Sequence, residues 1–287
     1  MGREIWTIGK ILRWTQDFFA AKGIESPRLD AEVLLAHVLH KERIHLYVHF
    51  DEPLNEDELA GFRGLVKGRC SRLPVAYLTG YREFMGLKFK VNHHVLVPRP
   101  ETEILVQAVA DELRRLRGEN LRGADIGTGT GAIAIALLHQ NAALRMEAVD
   151  ISADALSVAQ ANAAELGVAE RVIFTAGNLL EPLHNAPYDF IVSNPPYIPT
   201  ADINSLAPEV QREPRTALDG GADGLNFYRL LARDAPPLLT TGGFIAVEVG
   251  INQSAQVAEL FKSNALINST QIIPDMAGVE RVIIAGR

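Results

Sequence analysis

The segment Asp125-Ile126-Gly127-Thr128-Gly129-Thr130-Gly131 decides how this chain folds. It lies between a short apolar strand and the apolar helical stretch 132–138, so its glycines form a tight β-to-α turn. Glycine there tolerates positive φ and lets a ligand approach the backbone. A plain tight connection and a dinucleotide site are the alternatives, but the dinucleotide pattern G-x-G-x-x-G requires glycine at position 132, where this chain has alanine.

The chain on the carboxyl side of Glu101 alternates between helical and strand-like segments. Helices fall between most of the strands, notably from Ala153 to Leu166. The strand-like segments are 124–126, 146–149, 171–174, 190–192, 244–249 and 282–285. Strands separated by helices predict a parallel sheet covered on both faces, the doubly wound α/β class, with ligands at the carboxyl ends of the strands.

The chain on the amino side of this region has helical patterning. Apolar residues recur at helical spacing from Ile5 to Phe19, Ser26-Pro27 introduces a helix over 28–40, and another helix follows Asn55. Residues 83–97 are spaced more like a β-hairpin. We therefore expect a helical domain over 1–80, a hairpin linker over 81–98 and the α/β domain over 99–287.

Composition limits the function classes. The chain has 287 residues, 47% of them hydrophobic, and one cysteine, Cys70, which excludes an internal disulfide and a multi-cysteine zinc site. A lone cysteine suits a reducing compartment, so we expect a cytoplasmic protein. No apolar run is long enough to span a bilayer and the amino terminus lacks the apolar core of a secretory leader, so no membrane association is expected.

Charge and histidine content argue against nucleic-acid binding and a metal. Residues 1–80 carry 11 basic and 11 acidic side chains, so the net charge of −7 lies wholly in the larger domain. The basic side chains between positions 63 and 72 follow an acidic run on one helix and are interpreted as a solvated face. The pairs His37/His40 and His45/His49 lack an evident third ligand, so no metal site is predicted.

Polar residues at strand ends indicate the ligand. Asp150 ends the second strand of the α/β domain, about 20 residues beyond the loop, where a carboxylate accepts hydrogen bonds from ribose hydroxyls. Its alternative role, capping the next helix, is one that Ser152 can fill. Asn178 follows the third strand where an adenine ring would lie, although a plain turn asparagine is equally consistent. The loop and Asp150 together predict an adenosine-containing ligand without specifying which.

The segment Ser193-Asn194-Pro195-Pro196-Tyr197 indicates the chemistry. It follows the apolar strand 190–192, beside the glycine loop. Proline fixes φ and removes an N–H, and a residue that precedes proline is extended. The segment therefore predicts a stiff rim of acceptors, the Asn194 side-chain oxygen and the Pro195 carbonyl, with Tyr197 as an aromatic wall. An irregular proline-rich turn is the alternative, but it is a poor explanation at this position.

An amide or exocyclic amine needs such a rim because its nitrogen is a poor nucleophile. Two acceptors would hold the NH₂ group in line with a sulfonium methyl, so catalysis is mainly positioning and electrostatic preorganisation. This predicts a methyltransferase that uses S-adenosyl-L-methionine. The substrate alternatives are a protein glutamine and the adenine-N6 or guanine-N2 amine of a nucleic acid, and the lack of a basic domain disfavours the second. A non-catalytic or NAD-binding module would not need the Asn194 motif.

The chain resembles the release factor glutamine methyltransferases, the PrmC/HemK family, over nearly its full length. The stretches that carry the resemblance are Asp30-Ala31-Glu32 with Leu34-Leu35, Pro74-Val75-Ala76-Tyr77-Leu78-Thr79-Gly80, Arg82-Glu83-Phe84, Val97-Pro98-Arg99-Pro100-Glu101-Thr102-Glu103, the loop at 127–131, residues 193–197 and Glu213-Pro214. The resemblance implies a class I methyltransferase domain, a hairpin linker and an N-terminal helical domain that recognises the protein substrate. The implied substrate is the glutamine of the Gly-Gly-Gln motif in class I peptide chain release factors, methylated at N5.

The resemblance also implies residue roles. The loop Gly127, Thr128, Gly129, Thr130 and Gly131, with Asp150, Asn178, Leu179 and Asn194, would hold the cofactor, while Asn194, Pro195, Pro196 and Tyr197 would hold the substrate glutamine. The chain departs from its relatives at Asn178-Leu179, where they often have aspartate followed by an aromatic residue near the adenine. A sibling enzyme that methylates a ribosomal-protein glutamine would share this chemistry and differ only in its docking surface.

Overall fold

The computed structural model describes residues 5–116, 120–183 and 186–287. The chain divides into two compact units, one containing Met1–Gly80 with Pro208–Arg212 and the other containing Tyr81–Ala207 with Glu213–Arg287. Residues 208–212, which the sequence analysis assigned to the second domain, belong to the first unit. The hairpin belongs to the second unit, where Phe84 and Phe89 are buried in its core.

The first unit consists of helices. They are α1 (Ile8–Ala21), α2 (Pro27–Leu39), α3 (Arg43–Val48), α4 (Glu56–Cys70) and α5 (Val75–Thr79). The apolar residues at helical spacing form the core of the unit, with Phe19, Leu34 and Phe62 fully buried. Helix α4 begins with a capping box, in which the Asn55 side chain accepts from the Glu58 N–H and the Glu58 carboxylate accepts from the Asn55 N–H.

The interpretation of the basic residues on α4 as a solvated face is wrong for Arg69. Its side chain is buried, its Nε donates to Asp30 Oδ2 at 2.7 Å, and its Nη1 donates to Glu209 Oε1 at 2.8 Å. Arg72 donates to the same Glu209 oxygen at 3.1 Å. A buried guanidinium needs such partners because desolvation of an unpaired charge is costly. Arg69 therefore forms structural ion pairs with Asp30 and Glu209 within the first unit.

The second unit begins with the hairpin β1 (Tyr81–Phe84) and β2 (Leu87–Lys90), which pair antiparallel. Its remaining helices are α6 (Thr102–Arg115), α7 (Ala132–Gln140), α8 (Ala153–Glu165), α9 (Asn226–Asp234) and α10 (Ser254–Lys262). Its remaining strands are β3 (Arg122–Ile126), β4 (Arg145–Asp150), β5 (Val172–Ala176), β6 (Tyr188–Ser193), β7 (Leu239–Glu248), β8 (Ser269–Pro274) and β9 (Glu280–Gly286).

The strands from β3 onward form one sheet, seven-stranded within the described residues, in the order β5-β4-β3-β6-β7-β9-β8. The first five strands in that order are parallel, and β9 runs antiparallel to both β7 and β8. One hydrophobic cluster joins one face of the sheet to α6, α7 and α8, and a second joins the other face to α9 and α10. The predicted doubly wound α/β class is confirmed.

The direction in which successive strands are added to the sheet reverses between β3 and β6. After β3 the chain adds β4 and β5 on one side and then returns to place β6 on the other side of β3. Such a switch opens a crevice at the carboxyl ends of the strands. Strand β8 is the element that the sequence analysis missed. It lies at the edge of the sheet, and most of its residues are exposed, so it lacks the apolar pattern of a buried strand.

Within the described parts of the chain, no helix combines the length and apolar character needed to cross a bilayer.

Candidate active site

A cavity of about 450 Å³ opens in the second unit at the carboxyl ends of β3, β4, β5 and β6. This volume lies in the usual range of small-molecule sites. Its walls include the glycine loop with the β4 end, the β5 end and the segment after β6. Residues 94–96, residues 214–217, Asp219 and Phe227 also line it. The predicted site residues on these walls are Gly127, Gly129, Asp150, Asn178, Leu179, Asn194, Pro195 and Pro196.

Two glycines of the loop present bare backbone to the cavity. Gly127 and Gly129 have φ of 74° and 55°, and a Cβ added to either would meet no atom within 4 Å. Positive φ and an open approach are the two conditions under which glycine is needed. The loop is held in place because the Gly127 and Thr128 N–H groups both donate to the Val149 carbonyl, at 2.8 and 2.9 Å.

The other loop residues in the prediction do not line the cavity. Thr128 and Thr130 are buried, and the Thr128 hydroxyl donates to Asp125 Oδ2 at 2.7 Å. Burial raises the pKa of Asp125 to about 7. At Gly131 a Cβ would come within 2.9 Å of Ile135 Cδ1, so this glycine permits close packing of α7. Thr128, Thr130 and Gly131 thus support the loop rather than face the cavity.

Asp150 lines the cavity and also organises its surroundings. Its Oδ2 accepts from the Gly129 N–H at 2.8 Å, and its Oδ1 accepts from the Ser152 N–H at 2.9 Å. The helix cap is Ser152, whose hydroxyl accepts from the Ala155 N–H at 3.1 Å. A carboxylate oxygen accepts more than one hydrogen bond, so both Asp150 oxygens can still accept from a ligand hydroxyl.

The β5 end places Asn178 and Leu179 on the cavity wall. The Asn178 amide donates to Glu181 Oε1 at 3.2 Å, which turns its nitrogen toward the protein. Leu179 has φ of 50° and packs against the second hydrophobic cluster. An aliphatic side chain therefore lies where the family resemblance implied an aromatic ring.

The segment after β6 carries the predicted acceptor rim. Asn194, Pro195 and Pro196 all line the cavity. The Asn194 Nδ2 donates to the Thr102 hydroxyl at 3.1 Å, which anchors the nitrogen end of the amide on the first residue of α6. The oxygen end is consequently left to serve a ligand in the cavity.

Tyr197 departs from its predicted place, because it is not among the cavity-lining residues. Its side chain packs against the second hydrophobic cluster, and its ring lies so near Gly250 that a Cβ there would come within 3.0 Å of Tyr197 Cδ2. Burial, together with the nearby Glu248 carboxylate, raises the pKa of the Tyr197 hydroxyl to about 12. The ring is held by the turn after β7 instead of forming an aromatic wall of the cavity.

Residues 214–217 and Asp219 form another wall, and residues 94–96 also line the cavity; the sequence analysis assigned neither stretch to the site. Glu213, just before residue 214, is buried and accepts from the Val97 N–H at 2.9 Å and from the Arg99 guanidinium. The Ile198 N–H donates to the Leu218 carbonyl at 3.0 Å, so this wall pairs with the chain just beyond Tyr197. The sequence did contain a hint of this wall, because Arg99 and Glu213 each lie in a stretch that carries the family resemblance.

The cavity suits S-adenosyl-L-methionine in the chemistry of its walls. Bare glycine backbone stands beside an acidic side chain at a strand end, as nucleoside recognition requires. The acceptor segment is part of the same cavity, so a methyl donor and an amide acceptor fit one continuous space.

The histidine pairs lie in the first unit, outside this cavity. Glu52 is the third side chain that the sequence analysis did not find, because its Oε2 lies 3.4 Å from both His45 Nε2 and His49 Nδ1. His49 and Glu52 are about half exposed, and the contacts are those of a surface ion pair when the imidazoles are protonated.

Comparisons with known proteins agree with this geometry. Residues 10–80 match the family described as PrmC N-terminal domain, and residues 100–222 match the family described as Methyltransferase small domain. A release factor glutamine methyltransferase from Geobacter sulfurreducens is 46% identical over 281 residues, covering 98% of this chain and 96% of the relative. One from Moorella thermoacetica is 44% identical, covering 93% and 94%.

Solved structures share the fold. The hMettl16 catalytic domain, in complex with the MAT2A 3'UTR hairpin 1, superposes with a TM-score of 0.59 at 15% identity, covering 88% of this chain and 90% of that one. A methyltransferase from Pyrococcus furiosus superposes with a TM-score of 0.51 at 18% identity, covering 70% and 89%. Because these relatives are 44–46% identical over nearly the full length of both chains, this chain belongs to the family of release factor glutamine methyltransferases.

Proposed function

We propose that the protein transfers a methyl group from S-adenosyl-L-methionine to the side-chain amide nitrogen, N5, of the glutamine in the Gly-Gly-Gln motif of class I peptide chain release factors. The observation that carries the proposal is that Gly127, Gly129 and Asp150 line the same cavity as Asn194 and Pro195. The names of the relatives, release factor glutamine methyltransferases, support this choice of substrate.

The proposed cofactor site is the half of the cavity formed by the loop and the β4 and β5 ends. Gly127 and Gly129 let the cofactor lie against the backbone, Asp150 accepts from its ribose hydroxyls, and Asn178 and Leu179 flank its adenine. Thr128, Thr130 and Gly131 act by holding the loop in shape. When bound, the cofactor supplies an electrophilic methyl group on a sulfonium ion.

The proposed substrate site is the rim after β6. The Asn194 side-chain oxygen and the Pro195 carbonyl accept the two N–H bonds of the glutamine amide, and Pro196 stiffens the segment. Holding both hydrogens fixes the nitrogen in the attacking orientation and favours the loss of amide conjugation. Tyr197 supports this rim from the protein side, since its carbonyl accepts from Gln253 Nε2 at 2.9 Å.

The partner is proposed to be the release factor protein itself, with the first unit as its recognition domain and with no nucleic acid or membrane involved. The balanced charge of residues 1–80 supports this choice. A translation factor as substrate and a single cysteine support a cytoplasmic location.

The test is incubation of the purified protein with labelled S-adenosyl-L-methionine and separate pools of class I release factor, ribosomal proteins and nucleic acid. We expect label on one glutamine of the release factor, located by mass spectrometry. Label on a ribosomal-protein glutamine would make that protein the substrate in place of the release factor. Label confined to nucleic acid would overturn the proposal.

A further inference from the structure

Three polar side chains from separate elements meet behind the acceptor rim. Thr102 is the first residue of α6, Asn194 follows β6, and Glu248 ends β7. Asn194 Nδ2 donates to Thr102 Oγ1 at 3.1 Å, and the Glu248 carboxylate lies near enough to both side chains for them to lower its pKa. Thr102 and Glu248 are buried, with 5% and 2% of their surfaces exposed.

The chemistry of these partners determines which way the Asn194 amide faces. An ionised carboxylate only accepts hydrogen bonds, so the amide end directed at Glu248 has to be the NH₂ group. The Thr102 hydroxyl oxygen accepts from Asn194 Nδ2, so its one hydrogen remains available to the neighbouring carboxylate. The side-chain oxygen then points away from the cluster, toward the cavity that Asn194 lines.

The opposite orientation would be unproductive. Rotating an amide by 180° exchanges oxygen and nitrogen at almost the same positions, so packing alone discriminates poorly between the two. In the rotated form Asn194 would present NH₂ to the NH₂ group of a substrate amide, and two donors cannot pair. Only the hydrogen-bond partners behind Asn194 distinguish the two forms.

We propose that Thr102 and Glu248 are positioning residues that lock the Asn194 amide with its oxygen toward the substrate. The inference rests on the proposed function, because it assigns the acceptor role to that oxygen. It also gives a role to the threonine of the Pro100-Glu101-Thr102-Glu103 motif, whose side chain does not line the cavity.

The surroundings of Glu248 indicate a functional constraint. One of its oxygens, Oε2, is buried with no hydrogen-bond partner among the described residues, a costly arrangement for a group that serves packing alone. Burial raises the pKa of Glu248 to about 7, against the hydrogen bond from Thr102 and the positive charge of Arg281, while the negative charge of Glu101 adds to the rise. The negative charge of this carboxylate also raises the pKa of the Tyr197 and Tyr228 hydroxyls, and the Tyr228 hydroxyl donates to the Glu248 main-chain carbonyl at 2.8 Å.

The decisive test compares Thr102→Val with Thr102→Ser. Valine keeps the shape of threonine and removes the hydroxyl, whereas serine keeps the hydroxyl and removes the methyl group. The measurement is single-turnover methyl transfer to a release factor at saturating cofactor, with cofactor affinity by calorimetry and thermal melting for each protein. We expect Thr102→Val to slow transfer by about 10- to 100-fold, the effect of losing a hydrogen bond in a charged network, without weakening cofactor binding. Thr102→Ser should keep most of the wild-type transfer rate.

Equal rates for the two variants would overturn the proposal, whether both are fast or both are slow, because the hydroxyl would then not be the group that matters. If the wild-type protein labels a ribosomal-protein glutamine instead, the proposed release-factor substrate is wrong, but the proposed role of Thr102 is not affected. The same two variants, assayed on that substrate, would still decide whether Thr102 positions Asn194.

The second arm follows the pH dependence of transfer in the wild type and in Glu248→Gln. A protonated Glu248 can donate to the Asn194 oxygen and favour the rotated amide, so the wild-type rate should rise as pH passes through about 7. Glu248→Gln should be slower and should lack this rise, and its melting temperature at alkaline pH should be no lower than that of the wild type. A Glu248→Gln protein with the wild-type rate and profile would contradict the assignment.

Discussion

Replacement of Asn194 by alanine deletes the one side-chain acceptor of the rim and leaves its backbone carbonyls unchanged. The missing acceptor acts on the nitrogen that reacts, so we expect methyl transfer to slow by about 10²–10³-fold, the effect of removing one preorganised catalytic hydrogen bond. This corresponds to about 3–4 kcal/mol in the activation barrier.

The structure also predicts a cost in stability. Without the Asn194 amide, the buried Thr102 hydroxyl loses its donor beside the buried Glu248 carboxylate, a loss of about 1–3 kcal/mol. The melting temperature should therefore fall by roughly 2–12 °C, since about 1 kcal/mol corresponds to roughly 2–4 °C in a chain of this size. The rate effect should exceed anything that this partial destabilisation explains.

The assay is single-turnover transfer with saturating cofactor and release factor, at a temperature well below melting. Asn178→Ala is the matched control, because it removes the same side chain from the cofactor half of the cavity. It should change cofactor affinity more than the rate at saturation. Asn194→Asp places a second carboxylate beside Glu248, so it should be slow at alkaline pH and gain activity as pH falls. Near-normal transfer by Asn194→Ala would refute the reasoning.

Three further predictions concern the rest of the second unit and helix α4. Asp150→Ala should weaken S-adenosyl-L-methionine binding about tenfold or more, by about 1.5–3 kcal/mol, and calorimetry showing unchanged affinity would remove Asp150 from the site. Gly220→Ala should lower the melting temperature, because its Cβ would lie 2.8 Å from the Pro196 oxygen. Gly64→Ala in α4, where a Cβ meets nothing within 4 Å, should stabilise the protein by about 0.5–1 kcal/mol. Equal melting temperatures for the two variants would contradict this reasoning. Because burial raises the pKa of Asp125 from 3.8 to about 7, the folded state holds its proton more tightly, and this contribution to stability is present below about pH 4 and lost as pH rises through 7. Asp125→Asn should lack that loss, so its melting temperature relative to the wild type should rise between these pH values, and a constant difference would contradict the pKa.

Much of the fold could be predicted from local patterns, and so could the walls of the cavity formed by the glycine loop and the ends of β4, β5 and β6. The strand pattern placed the glycine loop, Asp150 and the Asn194 segment after successive strands, and parallel strands bring their carboxyl ends to one edge. That rule holds for any doubly wound sheet, so the shared cavity of these residues followed without coordinates. Strand β8 escaped prediction because an exposed edge strand carries no apolar alternation.

The orientation of individual side chains was decided only by the tertiary structure. Tyr197 follows the acceptor rim in sequence, yet its ring packs beside Gly250 because burial in the core outweighs exposure in the cavity. Arg69, which its helix alone would leave solvated, is buried because Asp30, 39 residues away, and Glu209, 140 residues away, pair with it.

The same contrast applies to the reacting end of the site. The sequence by itself determined that Asn194 stands at the end of a strand before two prolines, since local backbone restriction acts between neighbours. In our proposal, which end of its amide faces the substrate depends on Thr102, 92 residues away, and on Glu248, which a different strand contributes. Hydrogen-bond partners so distant along the chain leave no periodic trace in the sequence, so only folding shows that they converge on Asn194.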